Sequence, residues 1–274
     1  MTAALEAKSQ QPEAPVRWAI RDSQVITRRH LTHLAQLPAQ LIGNLVFPVL
    51  LVLMFGFVFG SAMTIPGGGN YRAFLMPGMF VMAMVLAMAP IVISVATDGT
   101  RGVTDRFRTL PMSRFSVVTG RSFADLATSL LDLLVLIVCG LAIGWRANGA
   151  WWQTLGALGL LLLLRYALAW DGIYLGLVLR SPELAGVALA GIYPLAMISN
   201  TLVVPAQMPA WLGFVAEWNP LSATVSALRE LFGNPGIAAG SSWASEHALG
   251  LAVAWPVLLI AAFLPLADAR YRRA

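Results

Sequence analysis

Six apolar stretches dominate the sequence after Pro38, each close to the roughly 20 residues that a helix needs to cross a bilayer. They run approximately 41–62, 75–96, 122–144, 153–179, 184–204 and 247–267. In lipid a spanning segment must satisfy its own backbone, and the alternation of barrel strands is absent, so these runs read as helices. Composition supports the same class. Apolar residues make up 58% of the 274 positions and charged residues only 11%, against roughly 45–50% and 25% in soluble domains. Mean hydropathy is +0.73. So few charges cannot cover a water-facing surface, which excludes a soluble enzyme, and the same figures exclude disorder. The expected fold is all-α, a polytopic membrane protein with six transmembrane helices.

The basic residues then orient the spans. The chain carries 18 basic and 13 acidic residues for a net charge of +5, and 17 of the 18 are arginine. Five precede the first span (Lys8, Arg17, Arg21, Arg28, Arg29), and five lie between the second and third (Arg101, Arg106, Arg108, Arg114, Arg121). Arg180 stands between the fourth and fifth, and Arg270, Arg272 and Arg273 close the chain. The other side holds Arg72, Arg146 and Arg229, while Arg165 lies inside a span. Fourteen against three is a strong positive-inside signal. It predicts a cytoplasmic (inner) membrane protein with both termini in the cytoplasm, and the basic excess needs no nucleic acid. The first forty residues lack the apolar core of a secretory signal. Residues 16–37 instead place Val16, Ile20, Leu31 and Leu34 on one stripe and Arg17, Arg21 and Arg28 on another. That pattern suits a helix lying in the membrane surface, with a solvated linker as the alternative. Two regions follow: 1–40, a tail and amphipathic helix, and 41–274, the membrane domain.

Several chemistries are excluded. The lone lysine, Lys8, has no glycine-rich turn before it, so the chain is not its own P-loop ATPase. A single cysteine, Cys139, makes neither an internal disulfide nor a structural zinc site. The histidines are His30, His33 and His247, and no Gly-x-Ser-x-Gly occurs, which removes a membrane-embedded hydrolase. Asp125 and Asp132 are too sparse to bind magnesium-diphosphate. No catalytic residue, metal or cofactor is expected in this chain.

What remains is a set of placed features. Between the second and third spans, Val103, Phe107 and Leu110 form a short apolar ridge, flanked by Arg101, Asp105 and Arg108 at helical pairing distances. Pro111 ends that helix. Such a segment fits a groove on a cytoplasmic partner or floats at the headgroups; amphipathicity alone leaves both open. Charges inside spans are costly, and here they are Asp125, Asp132, Arg165 and Asp171. Arg165 and Asp171 sit six apart on different faces, so pairing of Arg165 with an aspartate of the third span is expected, with a proton relay as the alternative. The second span is rich in adaptable methionines, including Met79, Met82 and Met84. Gly172 and Gly176 have the spacing of close helix packing. After the fifth span, 205–246 holds two short apolar helices, the first bearing Trp211, Phe214 and Trp218. The second is opened by Asn219-Pro220, with Leu221, Val225, Leu228 and Phe232 along it. Both are too short to cross, so they re-enter the outer leaflet or anchor at the interface.

Three strings resemble a known family. Phe47-Pro48-Val49-Leu50 with Met54-Phe55-Gly56-Phe57-Val58-Phe59-Gly60, Tyr71-Arg72-Ala73-Phe74-Leu75-Met76-Pro77-Gly78, and the run from Gly102 to Arg114 are similar to type-2 permeases of ATP-binding-cassette exporters. The resemblance is to the membrane subunits of daunorubicin/doxorubicin-type drug exporters. Where many relatives carry a glutamate pair, this chain has Thr97-Asp98. The resemblance implies two permease subunits, as a homodimer, resting on two copies of a cytoplasmic ATPase subunit that binds ATP and magnesium. It implies that Gly102, Val103, Asp105, Arg106, Phe107, Arg108, Leu110 and Pro111 couple to that ATPase, and that 16–37 is the interfacial connecting helix. Phe55, Met79, Met82 and Met84 are candidates for the path of a hydrophobic or amphipathic cargo, and Trp211, Phe214, Trp218 and Asn219 for an outer gate. The alternatives are an exporter of a lipid, glycolipid or polysaccharide, or a proton-coupled secondary transporter.

Overall fold

The computed structural model describes residues 38–59, 70–100, 114–234 and 242–273. The expected coupling segment from Gly102 to Pro111 and the connecting helix 16–37 lie outside the described residues. Those described are mostly helical, with no strand among them. Helix α1, Pro38–Leu53, runs into a π-helical turn, Met54–Phe59. Helices α2, Tyr71–Leu86, and α3, Met88–Thr100, form one apolar rod interrupted at Ala87. The interruption has a cause in the sequence: Pro90 has no N–H to give the Leu86 carbonyl one turn back, and its ring crowds that oxygen. Then come α4, Arg114–Ala142, α5, Trp151–Leu179, and α6, Pro182–Met197. The outer segment contributes α7, Ala210–Trp218, α8, Pro220–Leu231, and the single turn α9, Trp243–Glu246; α10, Ala248–Arg273, follows.

Four of these, Tyr71–Thr100, Asp125–Ala142, Trp151–Leu179 and Ala248–Tyr271, are long and apolar enough to cross a bilayer. Leu45–Val58 and Pro182–Met197 are apolar but shorter. The fifth run therefore departs from expectation: its helix ends at Met197, well before 204. Ser199, Asn200 and Thr201 interrupt the apolar run and are buried. The Asn200 N–H donates to Ser222 Oγ at 2.9 Å, and its side-chain amide donates to Ser226 Oγ at 2.7 Å. Those polar groups find partners on α8 only if the chain leaves the helix. The last helix departs in the other direction, extending to Arg273 rather than 267.

Helix α5 is the spine, packed on α3 and α10. Gly172 and Gly176 allow the approach of α3. A Cβ on Gly172 would meet Met88 Cγ at 3.0 Å, and one on Gly176 would meet the Val92 carbonyl at 2.8 Å. Lipid tails are as apolar as leucine, so close packing rather than water exclusion holds such helices together. Helices α1 and α4 instead leave Val46, Phe47 and Leu50, and Leu130, Leu131 and Leu134, exposed. A left-handed Arg180 caps α5 (φ 52°), and Ser181 caps α6. That tight turn makes α5 and α6 antiparallel neighbours.

Candidate functional site

The break in the second apolar rod creates the site. The Leu86 carbonyl, deprived of its helical donor by Pro90, accepts from the Tyr193 hydroxyl of α6 at 3.3 Å. On the other side of the break, Arg165 of α5 donates from Nη1 to the Met84 carbonyl and from Nη2 to the Ala87 carbonyl, both at 3.0 Å. Its Nε donates to Ser129 Oγ at 2.8 Å, and Nη2 also pairs with the Asp125 carboxylate. The Arg165 side chain is 1% exposed and that of Asp125 14%. One arginine thus ties α2, α3, α4 and α5 together around a proline break. The carboxylate and the hydrogen bonds offset the cost of burying this cation.

Beside this knot lies a cavity of about 960 Å³, at the upper end of the range for sites that take drug-sized molecules. Its apolar wall is built by Phe47, Leu51 and Phe55 with Met79, Met82 and Leu86, and Met197 closes it from α6. Its polar floor is one face of α4, where Asp125, Ser129 and Asp132 stand at i, i+4 and i+7, together with Arg165 and Thr97. Three of the four residues assigned to the cargo path, Phe55, Met79 and Met82, line this cavity. Met84 does not: it is fully buried in the main core. The α2 residues that line the space, Met79, Met82, Ala83 and Leu86, share one helix face at i, i+3, i+4 and i+7, and Met84 stands on another.

Of the four intramembrane charges, the structure brings three together, Arg165, Asp125 and Asp132. Asp171 stands apart, half-buried and outside the cavity wall. Asp132 makes no ion pair among the described residues, and its Oδ1 is sealed from solvent without a hydrogen-bond partner. No cluster of metal-ligating side chains occurs among the described residues. Cys139 is a free thiol packed against the core.

At the outer segment, Trp211, Phe214 and Trp218 are exposed. Trp218 stacks on Trp243 at 5.9 Å, and Trp243 on His247 at 4.4 Å. Asn219 has a different environment from these aromatics. Its Oδ1 accepts from the Leu221 N–H at 2.9 Å as the cap of α8, and its Nδ2 donates to the Ile198 carbonyl at 2.7 Å. Its side chain fastens α8 to the end of α6.

Sequence reasoning missed Pro90, Tyr193 and Ser129 as parts of the knot, and it missed Arg229. Arg229 was read as one of three outer arginines, yet it is fully buried. Its Nε donates to the Phe74 carbonyl at 3.0 Å, its Nη2 donates to the Asn200 carbonyl at 2.9 Å, and the guanidinium lies 3.6 Å from the Phe74 ring centre. A signal existed: Arg229 follows Leu221 by eight and Val225 by four, on the edge of the apolar stripe of α8.

The comparisons fit this arrangement. The family described as ABC-2 type transporter matches residues 21–232. The chain is 33% identical to a daunorubicin resistance ABC transporter permease protein of Streptomyces coeruleorubidus, over 86% of this chain and 80% of that one. It is 25% identical to a transport permease of Cyanophora paradoxa, covering 84% and 78% of the two chains. To a protein named "Probable doxorubicin resistance ABC transporter permease protein" in Mycobacterium tuberculosis it is 24% identical, covering 90% and 87%. The chain belongs to the ABC-2 type transporter family. It is a multi-pass membrane protein of the permease type, and the resemblance read from its sequence strings is to the same family.

Proposed function

We propose that this chain forms the translocation path of an exporter for hydrophobic or amphipathic molecules of drug or antibiotic type, driven by a separate ATPase subunit. In this reading six helices cross the membrane with both termini in the cytoplasm, two copies of the chain associate, and two ATPase subunits bind ATP and magnesium below them. Helices α7 and α8 enter the outer leaflet without crossing it, and the exposed tryptophans sit at its interface. The segment from Gly102 to Pro111 seats on the ATPase through Val103, Phe107 and Leu110.

The observation that carries the reading is the apolar cavity at the proline break, in a chain of this family. A lipid or polysaccharide exporter is the second reading. The cavity wall favours the first, because it offers aromatic and thioether surface rather than the rows of hydroxyls and amides that a glycan needs. The test is reconstitution of the wild-type chain and Phe107→Ala with the ATPase subunit of the same exporter, reading complex formation and cargo-stimulated hydrolysis. Loss of either in the variant is expected, since an aromatic anchor at an interface contributes a few kcal/mol. Wild-type values for both would remove the coupling role of this segment.

A further inference from the structure

The polar floor of the cavity is electrically unbalanced. Arg165 is the one cationic residue among the described cavity-lining residues, and its ion pair is with Asp125, which leaves the carboxylate of Asp132 on the same helix face. The hydrogen bonds of Arg165 are directed to Ser129, two carbonyls and Asp125. Asp132 lies seven residues further along α4, about 10 Å by helical rise. It lines the cavity, and one of its two carboxylate oxygens, Oδ1, is sealed from solvent without a hydrogen-bond partner. A carboxylate in such surroundings is stabilised by a cation brought to it, because a desolvated charge is costly alone and tolerable when paired. The surfaces beside it suit the rest of such a molecule. Met79 and Met82 adapt to varied apolar shapes, and the Phe55 ring offers a face to a cation or to an aromatic body.

We propose that Asp132 is the docking group for the positive charge of an amphipathic cargo, with Phe55, Met79 and Met82 receiving its apolar body. This rests on the reading of the cavity as the cargo path and narrows the cargo to cations. Asp132 and Asp125 then differ in role on one helix face. Asp125 neutralises the protein's own arginine, and Asp132 neutralises the passenger. A neutral or anionic amphiphile of the same shape fits the apolar wall but gains nothing from Asp132.

The test uses the full-length chain in nanodiscs of phosphatidylcholine, which carry no net lipid charge, and two dyes with the same aromatic body. Rhodamine 6G is cationic, and rhodamine B carries a carboxylate that makes it zwitterionic. Binding is read by fluorescence polarisation. Asp132→Asn should weaken rhodamine 6G about tenfold or more, the scale of losing a buried counter-charge. It should weaken rhodamine B less, because that dye's own carboxylate already offsets its positive charge. Asp132→Glu should retain rhodamine 6G binding, and Asp171→Asn, outside the cavity, should match wild type for both dyes. Met82→Trp, which sets a larger and more rigid side chain into the wall that receives the apolar body, should weaken both. If Asp132→Asn binds rhodamine 6G as wild type does while Met82→Trp loses both dyes, the cation inference falls and the cavity reading stands. If Met82→Trp leaves both dyes unaffected, the cavity is not the cargo path and the inference falls with that reading. Equal loss of both dyes in Asp132→Asn, or no rhodamine 6G binding by the wild type, also overturns it.

Discussion

Two buried arginines serve the same proline-broken rod in different ways. Arg165 holds the Met84 and Ala87 carbonyls at the break before Pro90, and Arg229 holds the Phe74 carbonyl near Pro77. Arg165 has a carboxylate partner and borders a large cavity; Arg229 is enclosed by carbonyls and a phenyl ring, with Nη1 lacking a hydrogen bond. A proline in a spanning helix frees the carbonyl four residues back, which some other group must satisfy; Tyr193 does so for Leu86, and the two arginines bond other carbonyls close to each proline. The difference is the counter-charge. At Arg229 the protein closes that end of the rod with dipoles and a ring face. At Arg165 it adds a full ion pair on a surface that meets a cavity.

The comparison breaks most sharply at Arg165. Arg165→Met strands Asp125 and should cost about 3–5 kcal/mol, the usual penalty for removing one member of a buried pair. Thermal unfolding in nanodiscs measures it. Adding Asp125→Asn to that variant should recover part of the loss, since the stranded charge is then gone. No recovery would mean that the arginine acts through its carbonyl bonds alone.

Arg229→Met should cost less, about 1–3 kcal/mol, because it leaves carbonyls under-satisfied but strands no charge. The same melting series ranks the two, and a larger loss at Arg229 would reverse the account of the counter-charge. Tyr193→Phe removes the hydroxyl that serves the Leu86 carbonyl and should cost about 1 kcal/mol. In Pro90→Ala the helix supplies its own N–H there, so Tyr193→Phe made in that background should become nearly neutral. Trp218→Ala, at the exposed stack with Trp243, should cost about 0.5–1.5 kcal/mol. It should leave dye binding in the cavity unchanged.

Much of this frame was legible because apolar runs of helical length carry their own signal, and because Asn219-Pro220 marks the start of α8 by capping chemistry. The Arg165–Asp125 link could be narrowed to the third span by spacing, since Asp171 faces another way. The rest needs tertiary structure. Averaged over a span, hydropathy runs on through residues 198–204 despite the local interruption by Ser199, Asn200 and Thr201, so it does not mark the exit of the chain at Met197, made by Asn200 and its partners on α8. Pro90 reads as an ordinary residue of an apolar run until Tyr193, about 100 positions away, is seen serving the carbonyl it frees. Helical spacing puts Met82 and Met84 on different faces, and the packing of the neighbouring helices decides that the face of Met82 meets the cavity and that of Met84 the core.

The central claim is that cargo passes through the cavity beside the Arg165–Asp125 knot. Its most direct test is ATP-driven accumulation of rhodamine 6G in inside-out proteoliposomes holding the chain with its ATPase subunit. Wild type and Met82→Trp are compared at equal amounts of assembled complex. The account predicts accumulation by the wild type and its loss in Met82→Trp, with the complex intact. Undiminished accumulation by Met82→Trp would contradict it.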